Sequence, residues 1–209
     1  DKETAFIMLE GHCNVSFDTT VWENIGNRNN VFENRKAESF YMPRDEKLVI
    51  EAIDNIKIAV CATPVKEKTA PQVLREDHVT LKLLGEVPFQ RETSFLVDGT
   101  TNAKVLTIGE AYCTEGNWAG FPPHKHDVND MPNECIAEEI YYFLFDKEQG
   151  FGFQSLYTKD GEYVRQIDLP VTAGEPENIS HVGDVFYIVY NNPSWTGGIV
   201  YQTVITEKK

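Results

Sequence analysis

Short segments rich in β-branched and aromatic residues alternate with turn signals along almost the whole of this 209-residue chain. Few segments show helical periodicity, and none of them has a convincing length. This pattern predicts an all-β protein, because such side chains fit the pleated, half-buried surface of a sheet. The predicted strands are residues 5–9, 13–17, 39–41, 47–52, 57–62, 79–84, 93–97, 104–113, 140–145, 151–157, 162–169, 184–189 and 199–205.

The composition indicates a folded protein and narrows its partners. Hydrophobic residues make up 41% of the chain and aromatic residues 11%, which suffices for a substantial core. A net charge of −14 disfavours nucleic acid and anionic membrane as partners, since both require a cationic surface. Apolar runs are only strand-sized, and the first residues show no signal-peptide pattern. We therefore expect a cytoplasmic protein whose four cysteines are reduced.

A polar, proline-bearing stretch at residues 63–77 is predicted to connect two parts of the chain, 1–75 and 76–209. The second part has enough strands for a two-sheet barrel of the jelly-roll type. The first part has about five predicted strands, which would leave an unpaired sheet edge. We expect an incomplete N-terminal barrel, whose edge is covered either by strands ahead of this sequence or by a second copy. The second case makes the protein a homo-oligomer, most simply a dimer.

A histidine pair followed by two glutamates is the strongest chemical signal. If the histidine segment is extended, His124 and His126 share one face. Two imidazoles with a nearby carboxylate suit a catalytic divalent metal rather than a thiolate-rich structural zinc site. The alternative is a surface loop with two histidines and an unrelated acidic strand.

Two adjacent carboxylates, Glu138 and Glu139, compete for the metal. Alternation along the predicted strand places Glu139 on one face with Tyr141 and Phe143, whereas the opposite face is largely apolar. Glu139 is therefore assigned to the metal, and Glu138 is a candidate acid/base or outer group. Tyr141 would project beside the metal, where its hydroxyl either donates to a substrate oxygen or only lines the barrel.

Four segments together carry a family resemblance. They are Asn-Trp-x-x-Phe-Pro-Pro-His-Lys-His-Asp at 117–127, Glu-Glu-Ile-Tyr-Tyr at 138–142, Gln-Gly-Phe-Gly-Phe-Gln at 149–154 and Gly-Asp-Val at 183–185. They resemble the 5-deoxy-glucuronate isomerase family of myo-inositol catabolism. The resemblance implies a bicupin, built from two double-stranded β-helix jelly-roll barrels, of which the first is metal-free. It also implies a zinc or manganese ion held by His124, His126 and Glu139.

The resemblance further implies aldose–ketose isomerisation of a deoxy-uronic acid, a small sugar-acid substrate. Such a reaction moves a proton between neighbouring carbons, and either Glu138 or a metal-bound water is the candidate general base. A metal-assisted hydride shift is the alternative route.

The fourth metal ligand departs from the family pattern. Asn192 stands where the family carries a histidine, and an amide oxygen is a poorer zinc ligand than imidazole. His181 is the candidate substitute. This departure favours an alternative function, a divergent cupin that binds metal or sugar without isomerase activity.

Substrate recognition departs from the family pattern as well. Leu144 and Ser155 stand where family members carry arginines, and arginine gives bidentate recognition of a carboxylate. Arg91 and Arg165 are the remaining candidates for pairing with a uronate.

Overall fold

A computed structural model describes residues 1–119, 126, 128–147, 150–158, 162–168, 176–182, 185–190 and 199–204. Within these residues the chain forms strands, one 3-10 helix at Glu76–His78 and no α-helix, so the all-β prediction is confirmed. The strands are β1 (Lys2–Glu10), β2 (Cys13–Phe17), β3 (Thr20–Ile25), β4 (Ser39–Met42), β5 (Val49–Ala52), β6 (Lys57–Pro64), β7 (Gln72–Leu74), β8 (Thr80–Leu84), β9 (Arg91–Val97), β10 (Ile108–Tyr112), β11 (Phe153–Tyr157), β12 (Tyr163–Asp168), β13 (Pro176–Val182), β14 (Val185–Tyr190) and β15 (Ile199–Val204).

The chain divides into two compact units, Asp1–Pro122 and Pro123–Lys209. In the first unit, antiparallel strands form three sheets with the orders β6-β1-β4-β7, β3-β2-β5 and β10-β9-β8. In the second unit, β11 pairs with β12, and β13, β14 and β15 form a three-stranded sheet. The division predicted at residue 75 separates two proposed barrels, whereas the observed boundary separates two compact units. The predicted barrel boundary therefore stays a prediction.

The core of the first unit is organised around β1, which is apolar on both faces. Side chains alternate along a strand, so Ala5, Ile7 and Leu9 enter one buried cluster while Phe6 and Met8 enter another. Phe6 lies opposite Phe40 of β4 in the ladder, and their rings stack with centroids 4.6 Å apart. Burial on both faces makes β1 the strand on which the neighbouring layers pack.

The predicted connector at residues 63–77 is wrong at residues 63–64 and 72–74, which lie in strands. Strand β6 continues to Pro64, and β7 pairs with β4 through the register Ser39↔Leu74. Leu74 is fully buried and shares a core cluster with Val79 and Ala5. Tertiary packing therefore recruits the apolar Val-Leu pair that follows the prolines, despite the polar composition around it.

A second correction concerns the strand predicted at 104–113, which begins only at Ile108. The backbone N–H groups of Lys104, Val105 and Leu106 donate to the carboxylate of Glu3, at 3.0, 2.7 and 2.8 Å. Because each N–H has one proton to donate, these amides cannot also extend the β10 ladder.

Three strands were not predicted: β3, β7 and β13. β3 and β13 are rich in polar residues, which weakens the alternation of polar and apolar positions. Their formation follows from pairing with apolar neighbours, as in β13 with β14. The described residues contain no helix with the length and hydropathy needed for a bilayer span.

Candidate metal centre

His126 and Glu139 come together in the second unit. His126 Nε2 lies 3.9 Å from Glu139 Oε1, and the two side chains are 31% and 44% exposed. The pair was predicted from the sequence as two metal ligands, and the structure places both on accessible surface. His124 and Asn192, the other predicted ligands, lie outside the described residues, and within those residues no group of three or more His, Cys, Asp or Glu is placed to hold a metal.

The second ring nitrogen of His126 faces a backbone carbonyl. Nδ1 lies 3.3 Å from the carbonyl oxygen of Cys135 and 4.0 Å from the Cys135 sulfur. A carbonyl oxygen only accepts hydrogen bonds, so Nδ1 must carry the proton in this contact. In the neutral ring the lone pair then belongs to Nε2, which is the nitrogen that faces Glu139.

This arrangement fits a divalent cation. A lone pair on Nε2 and a carboxylate oxygen repel each other unless a positive charge lies between them, and either a proton on Nε2 or a bound cation supplies that charge. Typical metal–nitrogen and metal–oxygen bonds are each about 2.0–2.2 Å long, so one ion can reach two atoms that are 3.9 Å apart. A histidine that donates from Nδ1 to a backbone carbonyl is also the usual support of a metal-bound imidazole.

Tyr141 engages the other oxygen of Glu139. Its hydroxyl donates to Glu139 Oε2 at 3.0 Å, which leaves Oε1 on the side of His126. Burial and the adjacent carboxylate raise the pKa of Tyr141 to about 12, so the phenol keeps its proton at neutral pH. The ring stacks on Phe143 with centroids 6.1 Å apart, in agreement with the alternation that places residues 139, 141 and 143 side by side.

The predicted strand at 140–145 is wrong. In the described residues this segment forms no ladder, and Ile140, Tyr141 and Tyr142 are 74%, 46% and 38% exposed. Tyr141 still contacts both Glu139 and Phe143, so the alignment of these side chains does not require a ladder. Glu138 is exposed on the same segment, and its role as acid/base stays a prediction.

The remaining predicted residues lie elsewhere in the fold. Arg91 begins β9 opposite Leu84, Arg165 lies in β12 opposite Leu156, and His181 lies in β13 opposite Phe186. Two surface cavities of about 190 and 530 Å³ are lined by first-unit residues around Phe17 and Lys47. Neither contains a predicted ligand, so the candidate centre rests on donor chemistry rather than on cavity size.

Sequence reasoning missed the loop that supports His126. The backbone N–H of Ala137 donates to the His126 carbonyl at 3.1 Å, next to the Cys135 contact with the ring. These partners are main-chain groups, which every residue type carries, so no residue pattern could have identified them.

Comparison with known proteins gives a consistent result. A sequence profile of the KduI/IolB family matches residues 1–170. Proteins named 5-deoxy-glucuronate isomerase from Bacillus subtilis strain 168 and from Halalkalibacterium halodurans are each 32% identical to this chain, over 85% and 86% of it. The aligned regions cover 64% and 65% of those two proteins, so the chain spans less than two thirds of either relative.

A solved structure is similar as well. The crystal structure of an IolB-like protein from Salmonella typhimurium LT2 superposes with a TM-score of 0.75 at 26% identity. The superposition covers 80% of this chain and 64% of that protein. Sequence and structure comparisons therefore agree on the same family.

Proposed function

This chain belongs to the KduI/IolB family, and we propose that it is a metal-dependent isomerase that converts a deoxy-uronic acid between its aldose and ketose forms. 5-Deoxy-glucuronate, an intermediate of myo-inositol catabolism, is the proposed substrate, since proteins named 5-deoxy-glucuronate isomerase are similar to this chain over most of its length. The observation that carries the proposal is the facing of His126 Nε2 and Glu139 Oε1. The proposal includes a bicupin architecture, in which the second barrel holds the metal.

The proposed ligands of a zinc or manganese ion are His124, His126 and Glu139, with Asn192 as the fourth. Such an ion supplies Lewis-acid polarisation of neighbouring carbonyl and hydroxyl oxygens of the sugar. The Cys135 carbonyl holds the imidazole of His126 in the Nδ1-protonated tautomer. Tyr141 holds Glu139 by one oxygen, so that the other points toward His126.

The proton transfer is assigned to Glu138. A carboxylate there takes the proton from the hydroxyl-bearing carbon beside the sugar carbonyl and returns it to the former carbonyl carbon. The hydroxyl proton passes to the former carbonyl oxygen, so that carbonyl and hydroxyl exchange positions. The substrate's own carboxylate needs a local cation, because the chain carries a net charge of −14. Arg91 and Arg165 are the proposed partners for it.

Metal content tests the centre directly. We expect about one transition-metal ion per chain in protein purified without added metal, measured by inductively coupled plasma mass spectrometry. His124→Ala and His126→Ala should both lose it. His78→Ala is the matched control, because His78 is an exposed histidine of the first unit that contacts Asp77. Folded wild-type protein without metal would contradict the proposal.

A second candidate function is a divergent cupin that binds metal or a sugar without turnover, favoured by Asn192 and Leu144. A direct assay for conversion of 5-deoxy-glucuronate separates the two, because only the isomerase forms product. If metal is present, Asn192→His adds a second test. A large gain in zinc affinity would show that the asparagine weakens the site.

Two further expectations belong to the proposal: a cytoplasmic location and a homodimer. Sedimentation velocity at several protein concentrations tests the dimer, and a species of the monomer mass throughout would contradict it.

A further inference from the structure

The loop between the two candidate ligands is closed by a side chain, and that side chain is Glu134. Its Oε1 accepts the backbone N–H of Val128 at 3.0 Å. The loop also contains a tight backbone bridge, in which Asp130 N–H donates to Glu134 at 2.9 Å and Glu134 N–H donates to Asp130 at 3.0 Å. Glu134 therefore holds the loop with both its backbone and its carboxylate.

The carboxylate replaces a backbone partner. An antiparallel ladder that continued from the bridge between Asp130 and Glu134 would pair Val128 with Ile136. Instead the N–H of Val128 bonds the side chain of Glu134, and Ala137, one residue further along, donates to the His126 carbonyl. The returning segment is thus shifted by one residue relative to a regular ladder, as in a bulge.

This shift is what brings the Cys135 carbonyl to the imidazole. Glu134 precedes Cys135 directly, and the Cys135 oxygen lies 3.3 Å from His126 Nδ1. With the Ala137 bond on the other side at 3.1 Å, His126 is held at both its backbone and its ring. The ring then directs Nε2 toward Glu139.

We infer that Glu134 is a positioning residue of the metal centre: its carboxylate caps Val128 and so sets the loop register that orients His126. The inference rests on the proposed function, because it takes His126 as a ligand. Groups that support a metal-bound histidine typically change metal affinity by about 10–100-fold when they are removed.

Two conservative variants separate geometry from charge. Glu134→Gln removes the negative charge but keeps an oxygen that accepts the Val128 N–H. Glu134→Asp keeps the charge but is one methylene shorter and cannot reach the amide without a shift of the loop. If Glu134 acts through geometry, the glutamine variant retains metal affinity and the aspartate variant loses it. If Glu134 acts only as a nearby negative charge, the aspartate variant retains metal affinity and the glutamine variant loses it.

The experiment is a Co²⁺ titration of the metal-stripped protein, followed by the absorbance of bound cobalt and by calorimetry. We expect Glu134→Ala and Glu134→Asp to bind Co²⁺ about 10-fold more weakly than wild type, and Glu134→Gln to stay within about 3-fold. Glu162→Ala, which removes an exposed carboxylate beside β12, is the matched control and should bind as wild type does.

Amide hydrogen exchange in the metal-free proteins gives a readout that does not involve the metal. Val128 and Ala137 should exchange faster in the alanine and aspartate variants than in wild type or the glutamine variant, because their bonds depend on the loop register. Unchanged Co²⁺ affinity in Glu134→Ala would overturn the inference, as would equal exchange rates in all four proteins. Failure of the proposed function looks different, since wild type itself would then not bind Co²⁺.

Discussion

Glu3 in the first unit and Glu139 in the second each accept a hydrogen bond from a tyrosine hydroxyl, yet their surroundings differ completely. Glu3 is fully buried, and three backbone N–H groups and Tyr41 fill its oxygens. Glu139 is 44% exposed, and its second oxygen faces Nε2 of His126 instead of a backbone amide. The same type of side chain joins distant parts of the fold by hydrogen bonds in one place and is a candidate ligand in the other.

A candidate ligand can be told from a structural carboxylate by what surrounds its oxygens. A buried carboxylate must have its acceptor sites filled, because an uncompensated buried charge is very costly. Partial exposure lets a carboxylate leave one oxygen without a donor from the protein, because water can occupy that acceptor site. The tyrosine contact does not distinguish the two glutamates, whereas the partner of the second oxygen does.

Alanine at each glutamate gives the largest expected effects and the sharpest contrast. Glu139→Ala should weaken Co²⁺ binding by more than about 100-fold, beyond the loss of a supporting group, and change the free energy of unfolding by no more than about 0.5 kcal/mol. Glu3→Ala should lower the free energy of unfolding by about 3 kcal/mol, because several buried donors lose their acceptor. Urea unfolding and Co²⁺ titration measure both quantities. A Glu139→Ala protein with wild-type Co²⁺ affinity would remove the distinction.

Substitution of the two tyrosines by phenylalanine should give the same contrast with smaller effects on Co²⁺ affinity and stability. Tyr141→Phe removes the donor to Glu139 Oε2, so we expect a Co²⁺ affinity about 10-fold lower and little change in stability. Tyr41→Phe removes one of several donors to Glu3 and also the contact with Thr69 at 2.7 Å, so we expect a loss of about 1 kcal/mol and unchanged Co²⁺ affinity. Equal effects of the two substitutions on metal affinity would contradict the comparison.

The dependence of stability on pH at acidic pH should give the smallest of these effects, and it reports on Glu3. Burial raises the pKa of the Glu3 carboxyl, but its donors outweigh burial and hold the pKa below the ordinary value of 4.5. A lowered folded pKa means that the carboxylate stabilises the protein fully above about 4.5 and that this contribution fades as the pH falls through the folded pKa.

Urea unfolding of wild type and Glu3→Gln between pH 6 and pH 3 measures this dependence. Wild type should be more stable at pH 6, and the difference between the two proteins should narrow as the pH falls. A constant difference across this range would mean that the Glu3 carboxylate is not the titrating group.

The class of fold was predictable from the sequence, and so was the alignment of residues 139, 141 and 143 in the site. Periodicity of two and the absence of helical patterns identified an all-β chain, and strands such as β2 and β6 were placed within one or two residues of their observed ends. The same periodicity aligned Glu139 with Tyr141 and Phe143, since side chains two residues apart share a face of any extended segment. That alignment held even though residues 140–145 form no ladder.

Properties that depend on neighbours in the chain could be predicted from the residues alone. They are the strand-forming segments, the pairing of His126 with a nearby carboxylate and the shared face of residues 139, 141 and 143. The other contacts depend on the folded path of the chain. Glu3 meets amides about a hundred positions away, and His126 is oriented by the Cys135 carbonyl. Backbone amides and carbonyls are the same in every residue, so only the folded path of the chain can determine which of them a side chain meets.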